Sequence, residues 1–380
     1  MTMTRRKQPH ADSYLSLFSG AGGLDLGFER AEFHPMGSVE IDSHCVRTLR
    51  HNCPTWPVLE ADVREYEPSA DTRPEVLLAG FPCQGFSLGG NRRPDDERND
   101  LFREVVRVTK AVSPTAVVVE NVLNLRTMKH PITGRPFVEE IAHAFVDLGY
   151  DVHHGIFRVC DYGVPQTRRR FLFIAFRDGA PAGYSLPQPT GLATIRDALF
   201  DLANGPAVDL PNHDPQWGFK SAVHVETGAA FAKEEMVVPV RFSRTASDGN
   251  PIRSFDEPFP AIDTATVWGW AQGRVRAERV HKDRRTEKFI RNPNANVTLW
   301  RIEASRLRTF THREYARLQT FPDTWQFLGN NKRDIHKQIG NAVPVEFATV
   351  VARNVREAIE AKRTNKRFRS QAAQLQLMMS

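Results

Sequence analysis

The first half of the chain alternates short apolar runs with stretches of helical periodicity. The apolar runs predict four β-strands, at residues 14–18, 36–41, 75–81 and 116–120. The helical spacing predicts a helix that begins at Leu24 and further helices near residues 43–52, 100–112 and 137–148. Continuous apolar strands separated by helices are typical of a parallel sheet that is covered on both faces. We therefore expect an α/β fold with a doubly wound, Rossmann-like sheet.

The pattern changes at about Asp178. Beyond it, Pro, Gly, Asn and Asp recur, apolar runs are short, and residues 274–291 (RVRAERVHKDRRTEKFIR) are strongly basic. Regular structure is expected again at residues 313–318 and 345–361, where apolar positions return to helical spacing. The pattern therefore predicts a second, smaller and irregular domain between two regular regions, and a basic tail after them.

Composition adds a hint about the partner. The 380 residues are 41% apolar and 25% charged, which suits one large domain with a sizeable core and a smaller domain. A net charge of +6 and a pI near 9.2 indicate a polyanionic partner, although many basic proteins bind no nucleic acid.

The four cysteines form no CxxC pair, which favours a reducing, intracellular compartment. Cys45 and Cys53 lie near two histidines, but the spacing fits no common zinc pattern, so we expect no metal. No apolar run approaches the length of a membrane span, and the first ten residues lack the apolar core of a signal peptide. No membrane partner is therefore expected.

A glycine-rich turn, FSGAGG at residues 18–23, follows the first predicted strand and opens a helix. It is not GxGxxG, because Asp25 occupies the place of the last glycine, and that motif serves a pyrophosphate. Glu40 follows Gly20 by twenty residues, at a strand end, where a carboxylate can accept hydrogen bonds from ribose hydroxyls. Asp62 could face an adenine amino group. A tight turn with two surface acids is the alternative, but the position of Glu40 favours a nucleoside such as S-adenosylmethionine.

Cys83 lies where the strand predicted at 75–81 breaks into a loop that is rich in Gly and Ser. Buried cysteines usually pack inside strands or helices as small hydrophobic residues. The exit of a strand is instead where α/β enzymes keep reactive groups. Cys83 is therefore a candidate nucleophile.

Six motifs occur in one order along the chain: FSGAGG (18–23), PCQ (82–84), ENV (120–122), QTRRR (166–170), REYARLQ (313–319) and QIGNAVP (338–344). In this the sequence resembles the C5 cytosine methyltransferases, most closely the bacterial DNA-modifying members. The resemblance spans residues 14–350 and leaves only about 178–305 without family motifs. It implies two lobes with DNA in the cleft, S-adenosylmethionine in the large lobe, and a cytosine flipped out of the duplex.

The resemblance implies a role for each catalytic residue. The thiolate of Cys83 adds to C6 of cytosine, because C5 alone is too poor a nucleophile to take a methyl group. A protonated Glu120 relieves the charge at N3, although a salt-bridged strand-end glutamate is the alternative. Arg168 and Arg170, which would share one face of a strand, hold the cytosine O2, a phosphate and the catalytic groups, unless they form only a solvated basic strand end.

Further residues follow from the same resemblance. The cofactor-binding set comprises Phe18, Gly20, Gly22, Gly23, Leu24, Glu40, Ile41, Asp62, Val63, Pro82, Leu101, Asn341 and Ala342. The DNA-binding set comprises Gln84, Ser87, Arg98, Gln166, Thr264 and Thr266, of which the two threonines match only a weak signature. Residues 87–98, rich in glycine and charge, are predicted to close over DNA as a lid.

The sequence therefore predicts a DNA (cytosine-5-)-methyltransferase. A cofactor domain would span residues 1–184 and be completed by 326–362, a target-recognition domain would span 185–325, and a basic tail 363–380. We expect a cytoplasmic, nucleoid-associated monomer that binds double-stranded DNA and works beside a restriction endonuclease. The alternatives are the tRNA-modifying branch of the family, a non-catalytic DNA-binding regulator and a basic RNA-binding protein.

Overall fold

The computed structural model describes most of the chain. The described residues are 10–82, 101–204, 208–216, 222–227, 235–242, 253–264, 266–282, 289–291 and 297–369. They form two β-sheets and the helices that cover and join them.

The larger sheet has seven strands. They are β1 (His10–Leu17), β2 (His34–Glu40), β3 (Val58–Glu60), β4 (Pro74–Ala79), β5 (Ala116–Val122), β6 (Tyr150–Arg158) and β7 (Arg169–Arg177). Their order is β3-β2-β1-β4-β5-β7-β6. The first five strands are parallel, as the apolar runs predict, but β7 is antiparallel to both β5 and β6. The expectation of a parallel sheet is thus wrong for β7 alone, since β6, which is antiparallel to β7, runs in the same direction as β5. The connection between β6 and β7, residues 159–168, is too short for a parallel crossover.

Eight helices accompany the sheets in the described part of the chain. They are α1 (Gly23–Arg30), α2 (Ser43–Asn52), α3 (Phe102–Val112), α4 (Phe137–Val146), α5 (Ile195–Asn204), α6 (His312–Leu318), α7 (Lys332–Asn341) and α8 (Val345–Arg363). Two apolar clusters occupy opposite faces of the seven-stranded sheet, one under α1 and α8 and the other under α3 and α4. The sheet is therefore doubly covered, and this confirms the predicted fold class.

Two glycines let the C-terminal helix reach the cofactor loop. A Cβ on Gly23 would lie 2.1 Å from the carbonyl oxygen of Val343, and one on Gly27 would lie 2.3 Å from the Cβ of Ala348. Only a residue without a side chain permits this approach. The segment around α8 therefore packs directly on α1, although it lies more than 300 residues later in the sequence.

The region after Asp178 is not irregular. It contains a five-stranded antiparallel sheet made of β8 (Ala222–Thr227), β9 (Glu235–Phe242), β10 (Val267–Lys282), β11 (Phe289–Arg291) and β12 (Val297–Thr309). Its longest strand, β10, has 16 residues and includes half of the basic run at 274–291. Basic and apolar residues alternate at 274–277, which is the period of a strand, but the alternation breaks at Glu278 and Arg279, and the density of charge concealed the strand.

The REYARLQ motif joins the two sheets. Arg313 is fully buried, and its guanidinium donates to the carbonyl oxygens of Pro211, Pro322 and Trp325. A third apolar cluster combines side chains of α1 and α2 with Trp268 and Trp270 of the smaller sheet. The domain boundaries at 184 and 325 stay a prediction.

Candidate active site

The carboxyl ends of β1 and β4 define a crevice. β1 is paired with β2 on one side and with β4 on the other, so the chain connections leave this point in opposite directions. Ligands of doubly wound sheets bind at such a switch point. The FSGAGG loop follows β1, and Gly80 to Pro82 follow β4, so the structure places both segments at this edge.

The glycine-rich loop is held by Glu40. The loop takes left-handed backbone angles at Phe18, Gly20 and Gly22, with φ of 57°, 56° and 84°. The backbone N–H of Gly20 donates to Oε2 of Glu40 at 2.7 Å, and that of Asp42 donates to Oε1 at 2.7 Å. Glu40 is 8% exposed, and burial raises its pKa, while these two hydrogen bonds lower it. Each carboxylate oxygen keeps a lone pair for a further donor.

The rim of the crevice fits a nucleoside. Ile41, directly after Glu40, is 63% exposed, which is unusual for a large apolar side chain and suits contact with the face of a base. Asp62 caps the backbone N–H of Arg64 and pairs with the guanidinium of that arginine, which lowers its pKa. Val63 is buried beside it. The adenine contact of Asp62 stays a prediction.

The remaining cofactor residues fall into two groups. Gly22, Gly23, Leu24 and Ala342 lie within the packing: a Cβ on Gly22 would lie 2.5 Å from Leu49, and Leu24 and Ala342 are buried. Pro82 and Asn341 are exposed, and Leu101 is half-buried. The first group shapes the loop, whereas the second has surface available for a ligand.

Glu120 and Arg170 form a pair at the end of neighbouring strands. Nε of Arg170 lies 2.5 Å from Oε1 of Glu120, and their side chains are 12% and 11% exposed. Burial raises the pKa of Glu120, and the positive charge of Arg170 partly opposes that shift. A Cβ on Gly80 would lie 3.9 Å from Oε2 of Glu120, and Nδ2 of Asn121 donates to the carbonyl oxygen of Phe81 at 3.3 Å. The pair is therefore next to the segment that leads to Cys83.

Arg168 lies elsewhere. β7 begins at Arg169, so Arg168 lies one residue before the strand, and the shared strand face with Arg170 stays a prediction. Its Nη1 donates to the carbonyl oxygens of Ile262 at 3.0 Å and Gly340 at 2.8 Å. Arg168 is 4% exposed, and it links the β6–β7 connection to the segment before β10 and to α7.

Gln166, one of the predicted DNA contacts, bonds to the same group of segments as Arg168, and it also accepts a hydrogen bond from the backbone N–H of Ile262. Gln166 is fully buried: its Nε2 donates to the carbonyl oxygen of Leu318 and to Oε1 of Gln319, each at 2.8 Å. Thr266 donates its hydroxyl to Asp263 at 2.7 Å, whereas Thr264 is exposed. Thr264 is exposed and Thr266 is partly exposed, so of these three residues Gln166 is the one without a surface that DNA can reach.

Other predicted residues lie outside the described ranges, namely Cys83, Gln84, Ser87, Arg98 and the lid at 87–98. Burial raises the thiol pKa of all three cysteines within those ranges, Cys45, Cys53 and Cys160, and that of Cys53 reaches about 12. A raised pKa suppresses the thiolate, so none of the three is suited to act as a nucleophile.

Sequence reasoning missed one group. Asp25 is fully buried and accepts hydrogen bonds from Ser16 and Ser38 beside the cofactor loop. The signal was present as the departure from GxGxxG, but it was interpreted only as the loss of a glycine.

Two features are absent from the part of the chain that the structure describes. No cluster of three or more His, Cys, Asp and Glu side chains in these ranges is arranged to hold a metal ion. No helix in the same ranges is both long and apolar enough to cross a membrane.

The chain is similar to known proteins over most of its length. The chain is 34% identical to the Type II methyltransferase M1.HphI of Haemophilus parahaemolyticus, over 93% of this chain and 88% of that relative. It is 32% identical to M.Eco47II of Escherichia coli, over 90% and 78%. A prophage-encoded DNA modification methyltransferase of E. coli shares the fold, with a TM-score of 0.57 and 22% identity over 92% of this chain and 99% of that one. The model of the C-5 cytosine-specific DNA methylase family matches residues 13–357, and the chain belongs to that family.

Proposed function

We propose that this chain transfers a methyl group from S-adenosylmethionine to C5 of a cytosine that is flipped out of double-stranded DNA. The observation that carries the proposal is the buried Glu120–Arg170 pair beside the segment that ends at Pro82, one residue before Cys83. A carboxyl group of raised pKa and a predicted thiolate at one crevice suit addition to a ring that must accept a proton.

Cys83 would act first. Its thiolate forms a bond to C6, and the electron pair of the C5–C6 double bond moves onto the ring, which makes C5 nucleophilic. When bound, S-adenosylmethionine supplies an electrophilic methyl group to C5. Loss of the C5 proton and departure of the thiolate from C6 then restore the double bond.

Glu120 would hold a proton at N3 of the cytosine. Charge that develops on the ring during addition is relieved if a carboxylic acid is hydrogen-bonded there. Burial raises the pKa of Glu120 and so favours the acid, while Arg170 fixes the position of its Oε1. Arg168 would support this site indirectly, through its bonds to the carbonyl oxygens of Ile262 and Gly340.

Glu40 and Ile41 would hold the nucleoside of the cofactor. Oε1 and Oε2 of Glu40 retain acceptor capacity for the ribose hydroxyls, and Ile41 offers an exposed apolar surface to adenine. Pro82, Leu101 and Asn341, which have exposed or half-buried surface, would add further contacts.

DNA would lie between the two sheets. The net charge of +6 and the basic residues of β10 suit phosphate contacts, and Thr264 is exposed beside Gly340. We further propose that the chain is a cytoplasmic monomer. Because the relatives named above are Type II methyltransferases, we also propose that it works beside a restriction endonuclease.

Bisulfite sequencing of DNA from cells that express the chain tests this function. We expect one short sequence to be methylated at a single cytosine throughout the genome. In vitro, purified protein should transfer tritiated methyl groups to duplex DNA and not to transfer RNA. Methylation of RNA alone would favour the tRNA-modifying branch, and its absence from both substrates would favour a binding protein.

A further inference from the structure

A buried carboxylate joins the two strands that end at the cofactor crevice. Asp25, in the first turn of α1, is fully buried. Its Oδ1 accepts a hydrogen bond from the hydroxyl of Ser38 at 2.9 Å, and its Oδ2 accepts one from the hydroxyl of Ser16 at 3.1 Å. Ser16 and Ser38 are partners in the β1–β2 ladder. One side chain of α1 therefore satisfies a hydroxyl group on each strand.

The same network reaches the ligand-facing segments. Ser19, inside the FSGAGG loop, donates its hydroxyl to that of Ser16 at 3.0 Å. Ser38 lies two residues before Glu40, which accepts the backbone N–H of Gly20. Asp25 is thus connected through one hydroxyl to the loop and through another to the end of β2. The distance between these two segments determines where a ribose fits.

The charge of Asp25 has a cost to stability. Burial raises its pKa to about 6, the two serine hydroxyls lower it, and Glu40 raises it. Tyr14 of β1 and Cys53 after α2 are the other ionisable groups that act on it. Because the folded pKa exceeds the ordinary 3.8, the protonated side chain stabilises the fold at low pH, and this contribution is lost as the pH rises through about 6. A buried side chain whose charged form destabilises the folded protein is a candidate for a functional role.

We propose that Asp25 is a positioning residue for the cofactor: it holds the FSGAGG loop and the Glu40 end of β2 at the spacing that the ribose requires. The inference rests on the proposed function, because it assumes that S-adenosylmethionine occupies this crevice. It also explains the departure from GxGxxG. The last glycine of that pattern allows helix and strand to pack closely, whereas here a carboxylate ties the helix to both strands.

Titration with S-adenosylhomocysteine and the melting temperature of the ligand-free protein test the proposal together. Asp25→Asn keeps the size of the side chain, but it removes the charge and leaves a single acceptor oxygen, so only one of the two serine hydroxyls can still donate to it. We expect it to weaken binding by about fivefold or more, and Asp25→Ala by about tenfold or more. The melting temperature of Asp25→Asn at pH 8 should equal or exceed that of the wild type, and the gain should shrink towards pH 5.

The control is Glu75→Gln, which changes another buried carboxylate at the opposite end of the same sheet and should leave the affinity unchanged. An affinity of Asp25→Asn within about twofold of the wild type would overturn the proposal. Weaker binding together with a lower melting temperature at pH 8 would also overturn it, because a purely structural side chain behaves in that way. If Asp25→Ala does not fold, Asp25→Asn decides alone. A wild-type chain that binds no S-adenosylhomocysteine would refute the proposed function itself, and this inference with it.

Discussion

Two buried glutamate–arginine pairs lie in different parts of this molecule. Glu314 and Arg308, where the smaller sheet meets α6, have side chains that are 0% and 1% exposed. Glu314 accepts two hydrogen bonds from Arg308, one from the indole of Trp270 and one from the backbone N–H of Thr311. Glu120 and Arg170, at the crevice, make a single close contact at 2.5 Å, and Oε1 of Glu120 has no well-directed hydrogen bond among the described residues.

The difference distinguishes a carboxylate that serves the fold from one that remains available to a substrate. A buried charge whose hydrogen bonds are all made has no capacity left for a substrate, and removal of its partner is costly. A buried charge with few bonds is unfavourable for the fold and is retained where a ligand or a proton will complete it. The carboxylate of Glu314 is of the first kind, and we propose that the carboxylate of Glu120 is of the second.

The largest effect is expected at Cys83, the predicted nucleophile that would act beside the Glu120–Arg170 pair. Cys83→Ser should abolish methyl transfer, because a serine hydroxyl does not supply a soft anion for addition at C6. Binding of DNA and of S-adenosylhomocysteine should survive. With DNA that contains 5-fluorocytosine, the wild type should form a covalent adduct that resists denaturation, since fluorine cannot leave as a proton does. Cys53→Ser is the matched control and should still form it. An adduct formed by Cys83→Ser would show that another residue is the nucleophile.

The second test changes Glu120 of the Glu120–Arg170 pair. Glu120→Gln should lower the rate of methyl transfer by about 10²–10⁴-fold, which is the usual contribution of a general acid. Affinity for S-adenosylhomocysteine should not change. Single-turnover kinetics and titration measure the two quantities. A variant of full activity would assign Glu120 to a salt bridge alone.

The pH profile sharpens this second test. Because burial raises the pKa of Glu120, the acid form persists to higher pH than that of an exposed glutamate, and the rate should fall as the pH rises through that pKa. In Glu120→Gln this high-pH decline should vanish. A decline that persists in the variant would mean that a different group is the acid.

The Glu314–Arg308 pair should respond in the opposite way, with a loss of stability and an unchanged rate of methyl transfer. Glu314→Gln should lower the free energy of unfolding by about 3–5 kcal/mol, because it leaves the buried charge of Arg308 uncompensated. Denaturant unfolding measures this loss. At a temperature where the variant is still folded, the rate per folded molecule should match that of the wild type. A folded but inactive variant would break the comparison between the two pairs.

The smallest effect is expected at the cofactor. Glu40→Ala should weaken binding of S-adenosylhomocysteine by about 1–3 kcal/mol, the value of hydrogen bonds to a charged group. Glu40→Gln keeps an acceptor for the N–H of Gly20 and should lose less. Isothermal titration compares the variants with Glu75→Gln, and equal affinities throughout would remove Glu40 from the site.

The local sequence pattern was sufficient to predict those helices and strands that carry their own periodicity or capping residue. The helix at residues 43–52 was predicted to its ends because Asp42 caps it and its apolar positions share one face. The four apolar runs became β1, β2, β4 and β5 of the larger sheet. The smaller sheet was missed because its long strands carry so many arginines that charge, and not period, dominated the pattern. Nor did any local signal state that β7 would pair antiparallel to β5.

By itself, the sequence determined the fold class and the family and predicted the residues that would do the chemistry, because motifs and periodicity are properties of neighbouring positions. Only the tertiary structure decided which buried charged groups bond within the protein and which keep hydrogen-bonding capacity for a ligand. It turned Arg168 towards the carbonyl oxygens of Ile262 and Gly340, left Arg170 beside Glu120, and placed Asp25 between Ser16 and Ser38. Burial and hydrogen bonding depend on segments that meet only after folding, so no spacing along the chain could report them.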